Sequence, residues 1–298
     1  MPPPLKPIII IGAGRSGTNL LRDLLTALPG TTTWPCDEIN PIWKHGNLAK
    51  TDALTAAEAR PEVRAYIRQA FERRALADGA DRVVEKTCAN TLRVGFVDAV
   101  LPDATYVHLV RDGRDVALSA MKRWRAGIDL GYTLKKARFV PARDLPRYAG
   151  RFVGNRVRQL RFGDRRLKVW GPTFEGLETY AETHPLDETC ARQWQACVDS
   201  ADRGLADVPE SRRVTVYYEN LVQDPRGELQ RVSEWLGLDA AGDHLDELLA
   251  QVSPAGVGGW RQAMDRDQHA RLAAIAGAPL RRHGVPDVPE TEPDRGTR

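Results

Sequence analysis

A glycine-rich turn lies near the amino terminus, directly after an apolar run typical of a buried strand. The turn, Gly12-Ala-Gly-Arg-Ser-Gly17-Thr-Asn19, is followed by leucines at helical spacing. Between a strand and a helix, such a turn presents backbone N–H groups to a phosphate. Its glycines fit the kinase pattern GxxxxGK[ST], but Thr18 replaces the lysine and Asn19 replaces the magnesium-binding hydroxyl. A magnesium-dependent nucleotide triphosphatase is therefore disfavoured.

The same turn also fits the dinucleotide fingerprint GxGxxG at Gly12, Gly14 and Gly17. Taken alone, it leaves a Rossmann dehydrogenase open. Two features disfavour that class. Arg15 and Ser16 occupy positions where a dinucleotide approaches the backbone closely, and no acidic residue ends a second strand about 20 residues further on.

A second group of polar residues surrounds the end of a later strand. Arg111 follows the strand predicted at residues 105–110, Ser119 lies about two turns into the next helix, and Arg123 lies one turn beyond. A guanidinium and a hydroxyl so placed can converge on one phosphate at the carboxyl edge of a parallel sheet. The alternative is a structural ion pair of Arg111 with a neighbouring aspartate.

Short β-branched runs alternate with amphipathic stretches along the chain, which predicts an α/β fold with a parallel sheet flanked by helices. Thr55 and Glu58 form a capping-box pattern, which predicts a helix that runs to about residue 77. Strands are predicted at 8–11, 82–85, 105–110 and 213–218, and later helices at 90–100, 115–125, 186–206, 226–236 and 265–282.

The 298 residues are expected to form a single domain over 1–284, followed by a disordered tail at 285–298. A basic insertion is predicted at about 126–185, because twelve lysines and arginines face only two aspartates between Lys135 and Lys168. The insertion is either a solvated loop or a surface for an anionic partner. The net charge of +3 is too balanced for a dedicated nucleic-acid-binding protein.

The four cysteines form no CxxC pair, so neither a disulfide scaffold nor a zinc site is expected. No apolar run approaches the roughly 18 residues of a membrane-spanning helix. A cytoplasmic location is the expectation.

Taken together, these motifs resemble the sulfotransferase superfamily that uses 3′-phosphoadenosine 5′-phosphosulfate (PAPS), which has a P-loop-like fold. The resemblance is strongest to the branch of tyrosylprotein-sulfotransferase-like and bacterial carbohydrate or metabolite enzymes. It implies that PAPS is the co-substrate and that no metal is required. The implied PAPS-binding residues are Gly14, Arg15, Ser16, Gly17, Thr18, Asn19, Arg111, Ser119, Arg123, Tyr218 and Arg261. Arg261 is included although Gly259 stands where related enzymes often have a lysine.

The resemblance also implies three catalytic residues. Lys86, after the second predicted strand, and Arg15 stabilise the leaving phosphate, and Glu38 is the general base. Asp37, His45 and His108 remain rival bases, because a buried carboxylate or an imidazole can take the proton. The alternatives are a salt bridge of Lys86 with Glu85 and a loop-clamping role for Arg15. A further aromatic residue, Trp43, either stacks on an acceptor ring or packs in the core.

The predicted function is PAPS-dependent sulfuryl transfer to a hydroxyl of a carbohydrate, glycolipid or small metabolite, with anionic acceptors among the candidates. ATP lacks the 3′-phosphate, and its binding would leave the Arg111 site without its anion. A tyrosine or phenol sulfotransferase, a P-loop nucleotide kinase and an anion-binding protein with a vestigial nucleotide site remain alternatives. The sequence leaves the acceptor and the oligomeric state open.

Overall fold

The computed structural model describes residues 5–47, 49–125, 170–240 and 243–285. Its centre is a five-stranded sheet in which every neighbouring pair is parallel. The strands are β1 Lys6–Ile11, β2 Thr31–Thr32, β3 Arg82–Lys86, β4 Thr105–Val110 and β5 Arg213–Tyr217. Their order across the sheet is β2-β3-β1-β4-β5. The α/β class with a helix-flanked parallel sheet is thereby confirmed.

Strand β1 is buried on both faces, as expected for the central strand of a parallel sheet. Ile8 and Ile10 belong to one apolar cluster, whereas Ile9 and Ile11 belong to another. Successive side chains of a strand point to opposite faces, so four consecutive isoleucines supply both halves of the core. The apolar run after the amino terminus therefore marks the centre of the fold.

Helices cover both faces of the sheet. Their bounds are α1 Thr18–Thr26, α2 Asn40–Trp43, α3 Pro61–Asp78, α4 Val94–Val100, α5 Gly113–Arg125, α6 Leu177–Thr183, α7 Leu186–Ala206, α8 Tyr218–Gln223, α9 Pro225–Leu236, α10 Asp243–Ala250, α11 Trp260–Ala263 and α12 Arg266–Arg282. Helices α3, α4 and α7 contribute to the cluster around Ile9, and α1, α8, α9 and α10 contribute to the cluster around Ile8.

Two predicted helices differ from the observed ones at their amino ends. The capping box of Thr55 and Glu58 is present, but it closes the short 3₁₀ turn Ala56–Glu58. Helix α3 begins at Pro61, because a proline lacks the N–H that a helix interior requires. The helix expected at 90–100 is divided into the 3₁₀ turn Cys88–Leu92 and α4.

Part of the predicted basic insertion is described. Residues 170–185 comprise an extended segment and α6, whereas 126–169, which hold the basic run, lie outside the described residues. Nearly all of the predicted tail, residues 286–298, also lies outside them. Within the described ranges, no helix combines the length and the apolar character needed to cross a membrane.

Strands β1, β3, β4 and β5 end at the same edge of the sheet, because they are parallel. The chain continues to β2 and β3 on one side of β1 and to β4 and β5 on the other. Ligands of open α/β sheets bind at the carboxyl edge where the strand order reverses in this way. A ligand site is therefore expected among the residues just after Ile11, Lys86, Val110 and Tyr217.

A buried histidine links β4 to the helices on one face. The Nδ1 atom of His108 lies 3.9 Å from Asp202 of α7, and the same carboxylate lies 3.1 Å from Nε2 of His283, just after α12. Burial lowers the pKa of His108 to about 4, although the Asp202 carboxylate favours the charged ring. The imidazole is therefore neutral in the folded protein at neutral pH.

This burial predicts a loss of stability in acid. Between about pH 6.5 and pH 4 the unfolded chain protonates His108 and the folded chain does not, so stability falls as the pH falls. Relative to His108→Gln, the wild-type protein should lose about 2 kcal/mol of unfolding free energy between pH 7 and pH 5. Urea unfolding at the two pH values measures this. The surface exchange His184→Gln is the control, and an equal pH dependence in wild type and His108→Gln would refute the prediction.

Candidate active site

A cavity of ≈ 550 Å³ opens at the carboxyl edge of the sheet, within the size range of small-molecule sites. Most of the residues that the sequence analysis selected line it, together with others that it did not select. The lining residues are Gly14, Arg15, Gly17, Thr18, Asn19, Asp37, Glu38, Asn40, Asp52, Lys86, Cys88, Ala89, Arg111, Arg123, Trp170, Gly171, Pro172 and Tyr218.

The glycine-rich turn has the backbone of a phosphate-binding loop. Gly17 caps α1 with a φ of 91°, and Arg15 also has a positive φ, of 74°. A β-carbon on Gly17 would lie 2.4 Å from the ring of Tyr218, so only glycine fits there. Ser16 is buried, and its N–H donates to the carbonyl of Ala13. The turn thus carries the amino end of α1, with Thr18 and Asn19, to the cavity wall.

Three arginines converge beside this turn. Nε of Arg15 donates to Oγ of Ser119 at 3.0 Å, and Nη1 of Arg111 donates to the carbonyl of Arg15 at 3.0 Å. The pKa of Arg15 is lowered, first by burial and then by the positive charges of Arg123 and Arg111. Like charges held this close are destabilising without a counter-ion. The cluster therefore fits a multivalent anion.

Arg111 is held in position for such an anion. Its Nη2 donates to the carbonyl of Gly256 at 2.6 Å, and its guanidinium lies 4.0 Å from the ring centroid of Tyr218. Its Nε is buried and has no hydrogen-bond partner among the residues that the structure describes. A buried unpaired donor on a charged group is costly, so this atom is one that a bound phosphate could satisfy.

The chain after α10 closes this side of the site. The carboxylate of Asp115 accepts from the N–H of Gly258 at 2.7 Å and from the N–H of Trp260 at 3.1 Å. These bonds fix the segment that supplies the Gly256 carbonyl to Arg111. Arg261 is exposed and lies over the ring of Trp260 at 4.7 Å, so it does not line the cavity.

Lys86 and Glu38 form a pair where β3 ends. Nζ of Lys86 lies 3.6 Å from Oε1 of Glu38, and the same oxygen accepts from the N–H of Cys88 at 3.3 Å. Burial opposes the charge of Lys86, but the carboxylates of Glu38 and Asp37 favour it, and its pKa is raised. Burial and Glu38 also raise the pKa of Cys88 to about 12, so the thiol stays protonated. The pair therefore supplies one lysine that stays protonated and one carboxylate.

The rival bases are placed differently. Asp37 lines the cavity, but its Oδ1 accepts from Asn19 at 3.4 Å and lies 3.6 Å from Nη1 of Arg22. His45 stacks on Tyr66 with ring centroids 3.8 Å apart, and neither it nor His108 lines the cavity. Of these candidate bases, Glu38 is the one that forms an ion pair with Lys86.

Trp43, the candidate stacking residue of the sequence analysis, is fully buried. Its ring packs edge-on against Phe71 and Phe96. The core interpretation of this tryptophan is therefore the correct one.

A buried polar network supports the pair from behind. Thr87 donates to Oε1 of Glu85 and accepts from the N–H of Ile39, the residue after Glu38. Asn90 donates to the other Glu85 oxygen at 2.9 Å. Burial raises the pKa of Glu85 to about 7. The network ties the loop that carries Glu38 to the strand that carries Lys86.

The network continues to a wall that the sequence analysis missed. Arg93 bridges the side-chain oxygens of Asn90 and Asn40, and Asn40 donates to Asp52 at 3.1 Å. Asp52 in turn binds Thr173, next to the cavity-lining residues 170–172. No local motif marks these residues, because loops separated by more than a hundred positions bring them together.

A comparison with known proteins identifies one matching family. A family model described as "Sulfotransferase family" matches residues 7–169 and 164–242. No curated protein matches the sequence.

Solved structures share the fold at low sequence identity. The sulfotransferase domain of the olefin synthase of Synechococcus PCC 7002 has a TM-score of 0.52 and 18% identity, over 96% of both chains. A sulfotransferase from Alicyclobacillus acidocaldarius has a TM-score of 0.50 and 17% identity, over 92% of both chains. Sulfotransferase STF9 from Mycobacterium avium has a TM-score of 0.50 and 14% identity, over 94% of this chain and 77% of its own.

The buried carboxyl of Glu85 predicts a second pH effect, opposite in sign to that of His108. Between about pH 4.5 and pH 7 the folded protein holds a proton on Glu85 that the unfolded chain releases, so stability falls as the pH rises. Glutamine does not titrate. Glu85→Gln should therefore gain about 2 kcal/mol relative to wild type between pH 5 and pH 7. Urea unfolding checks this, with the exposed Glu72→Gln as control, and a pH-independent difference would contradict it.

Proposed function

The chain belongs to the sulfotransferase family, and on that premise we propose that it transfers a sulfuryl group from PAPS to a hydroxyl of a carbohydrate, glycolipid or other small metabolite. The observation that carries the proposal is the convergence of the phosphate loop, the three arginines and the Lys86–Glu38 pair on one cavity. We assign residues 1–284 to one domain with this function.

The arginine cluster supports a donor that carries two separate phosphate groups. The loop with Arg15, Gly17 and Thr18 is suited to one phosphate, and the unpaired Nε of Arg111 is suited to another. PAPS carries such a pair, on its 5′ and 3′ positions, whereas 5′-AMP carries one phosphate. Ser119 and Arg123 complete the second site in this assignment, and Tyr218 lies beneath Arg111.

When bound, PAPS supplies the activated sulfuryl group and leaves as 3′,5′-adenosine bisphosphate. The residues of this chain contribute position and charge, as in phosphoryl transfer. Lys86 stays protonated and faces the cavity beside the loop, and Arg15 adds a second cation. We assign both residues to the charge that develops on the leaving phosphate.

In this proposal, Glu38 removes the proton from the acceptor hydroxyl. Its Oε1 lies 3.6 Å from Nζ of Lys86, so it stands beside the cation that faces the leaving group. A base in that position meets the acceptor oxygen on the line of transfer. Asp37 instead interacts with Asn19 and Arg22, which suits a positioning role.

The donor site is tested by thermal unfolding with 3′,5′-adenosine bisphosphate, 5′-AMP, magnesium-ATP and NAD. At a hundredfold excess over Kd, the bisphosphate should add roughly 2.7 kcal/mol of stability, a rise in Tm of about 4 °C for this size. Arg111→Met should abolish the preference for the bisphosphate over 5′-AMP, and the exposed exchange Arg203→Met should keep it. A shift with magnesium-ATP or NAD alone, or no shift at all, would refute the proposal.

The role of Lys86 is tested by Lys86→Ala. The variant should lose sulfuryl transfer from PAPS by about a hundredfold or more, because a charge that acts on the transition state is removed. Binding of 3′,5′-adenosine bisphosphate should persist. Lys6→Ala, at the other end of the central sheet, is the control, and full activity of Lys86→Ala would exclude the lysine from the transfer step.

A further inference from the structure

The cavity extends beyond the residues assigned to the donor. The loop, Arg111, Arg123 and Tyr218 are the lining residues that we assign to the donor, and we call them the first half. Apart from Lys86 and Glu38, the remaining lining residues form what we call the second half: Asp37, Asn40, Asp52, Cys88, Ala89 and residues 170–172. Since the acceptor hydroxyl must reach Glu38, this second half is where the rest of the acceptor lies.

We propose that this half is a subsite for an uncharged pyranose ring, with Trp170 as the stacking face and Asp37 as a hydrogen-bond acceptor for a ring hydroxyl. The proposal rests on the sulfotransferase function above and names the acceptor class within it. Three observations carry it: the position of Trp170, the fixation of its backbone, and the charge of the lining residues.

Trp170 lines the cavity and lies against the glycine-rich turn. A β-carbon built on Gly14 would lie 3.3 Å from the six-membered ring of Trp170, so the indole rests on the loop backbone just before Arg15. One side of the indole packs against the apolar cluster of α5 and α7, and the residue is only half buried. An aromatic face that stays open to a cavity favours a ligand with an apolar face.

The segment that carries Trp170 is fixed from two directions. Nε2 of Gln193, on α7, donates to the carbonyls of Trp170 and Pro172 at 2.7 and 2.9 Å. Asp52 accepts from the N–H and the hydroxyl of Thr173 at 2.8 and 2.9 Å, and its own N–H donates to the Thr173 carbonyl at 2.7 Å. Because this segment is already fixed, it loses little conformational entropy when a ligand binds. That small entropy loss favours affinity.

The charge of this half selects against anions. Asp37, Glu38 and Asp52 are carboxylates that line this half, and the cations that pair with Asp37 and Asp52, namely Arg22 and Lys44, do not line the cavity. The Oδ1 atom of Asp37 faces Asn19 and Arg22, and a carboxylate accepts several hydrogen bonds. Hydroxyl groups donate to such oxygens, whereas an acidic sugar would meet like charge.

An aromatic side chain and carboxylate oxygens that line one cavity suit a pyranose. Its axial C–H groups form an apolar face, and its hydroxyls form a polar rim. A phenol has the apolar face but only one hydroxyl, which would be used at Glu38 and would leave no hydroxyl to donate to Asp37. A neutral pyranose therefore matches both features of the lining, and a phenol matches one.

The test is sulfuryl transfer from PAPS to matched acceptors, with Kd for 3′,5′-adenosine bisphosphate measured in parallel. The acceptors are the methyl glycosides of glucose, galactose and mannose, the methyl glycoside of glucuronic acid, and p-nitrophenol. We expect transfer to at least one neutral glycoside, with the glucuronide poorer than the glucoside. Trp170→Ala should raise the acceptor KM about tenfold, Trp170→Phe should restore most of it, and the bisphosphate Kd should stay unchanged.

Trp235→Ala is the matched control, since Trp235 of α9 is also half buried and lies in the cluster on the other face of the sheet. Asp37→Asn should raise the KM for the glycoside while the bisphosphate Kd remains. Transfer to p-nitrophenol alone, preference for the glucuronide, an unchanged KM in Trp170→Ala, or no transfer to any glycoside while the bisphosphate binds would overturn the subsite. Failure to bind the bisphosphate would instead refute the sulfotransferase proposal.

Discussion

Positive charge gathered at the carboxyl edge of the sheet is the constraint on which the site depends. Arg111 donates to the backbone carbonyl of Arg15, and the Arg15 side chain donates to Ser119. Within the described part of the chain, the buried Nε of Arg111 has no hydrogen-bond partner. Like charges at such distances are stable only when neutral groups fix them and an anion completes them. Asp115 holds the Gly256 segment in place, and the Gly256 carbonyl accepts a hydrogen bond from Arg111.

Strand β3 lies between the cavity and a buried network of hydrogen bonds. Its last two residues, Glu85 and Lys86, point to opposite faces, as in any strand. Lys86 faces the cavity, and Glu85 faces a buried network that reaches the backbone beside Glu38 and, through Arg93, Asn40 and Asp52, Thr173. These hydrogen bonds fix the loop that carries Glu38 and the segment after Trp170 relative to the same strand.

Sequence patterns located the parallel sheet well, since apolar runs and helical spacing report burial directly. The predicted helix bounds were less accurate. The Thr55 capping box caps a short 3₁₀ turn, and the helix predicted there begins only at Pro61. The short strand β2, at Thr31–Thr32, was missed because two residues carry no periodicity. At the site, the loop and Arg111 were selected because each follows a recognisable strand.

The sequence by itself determined the central strand, the phosphate loop and the cations that follow the strands, because each is encoded by neighbouring residues. Only the tertiary structure decided which carboxylate stands beside Lys86, that Trp43 belongs to the core, and that Trp170 faces the cavity. Asp52 and Thr173 are bonded across 121 positions. Contacts at such separations depend on how the elements pack, and no local spacing specifies them.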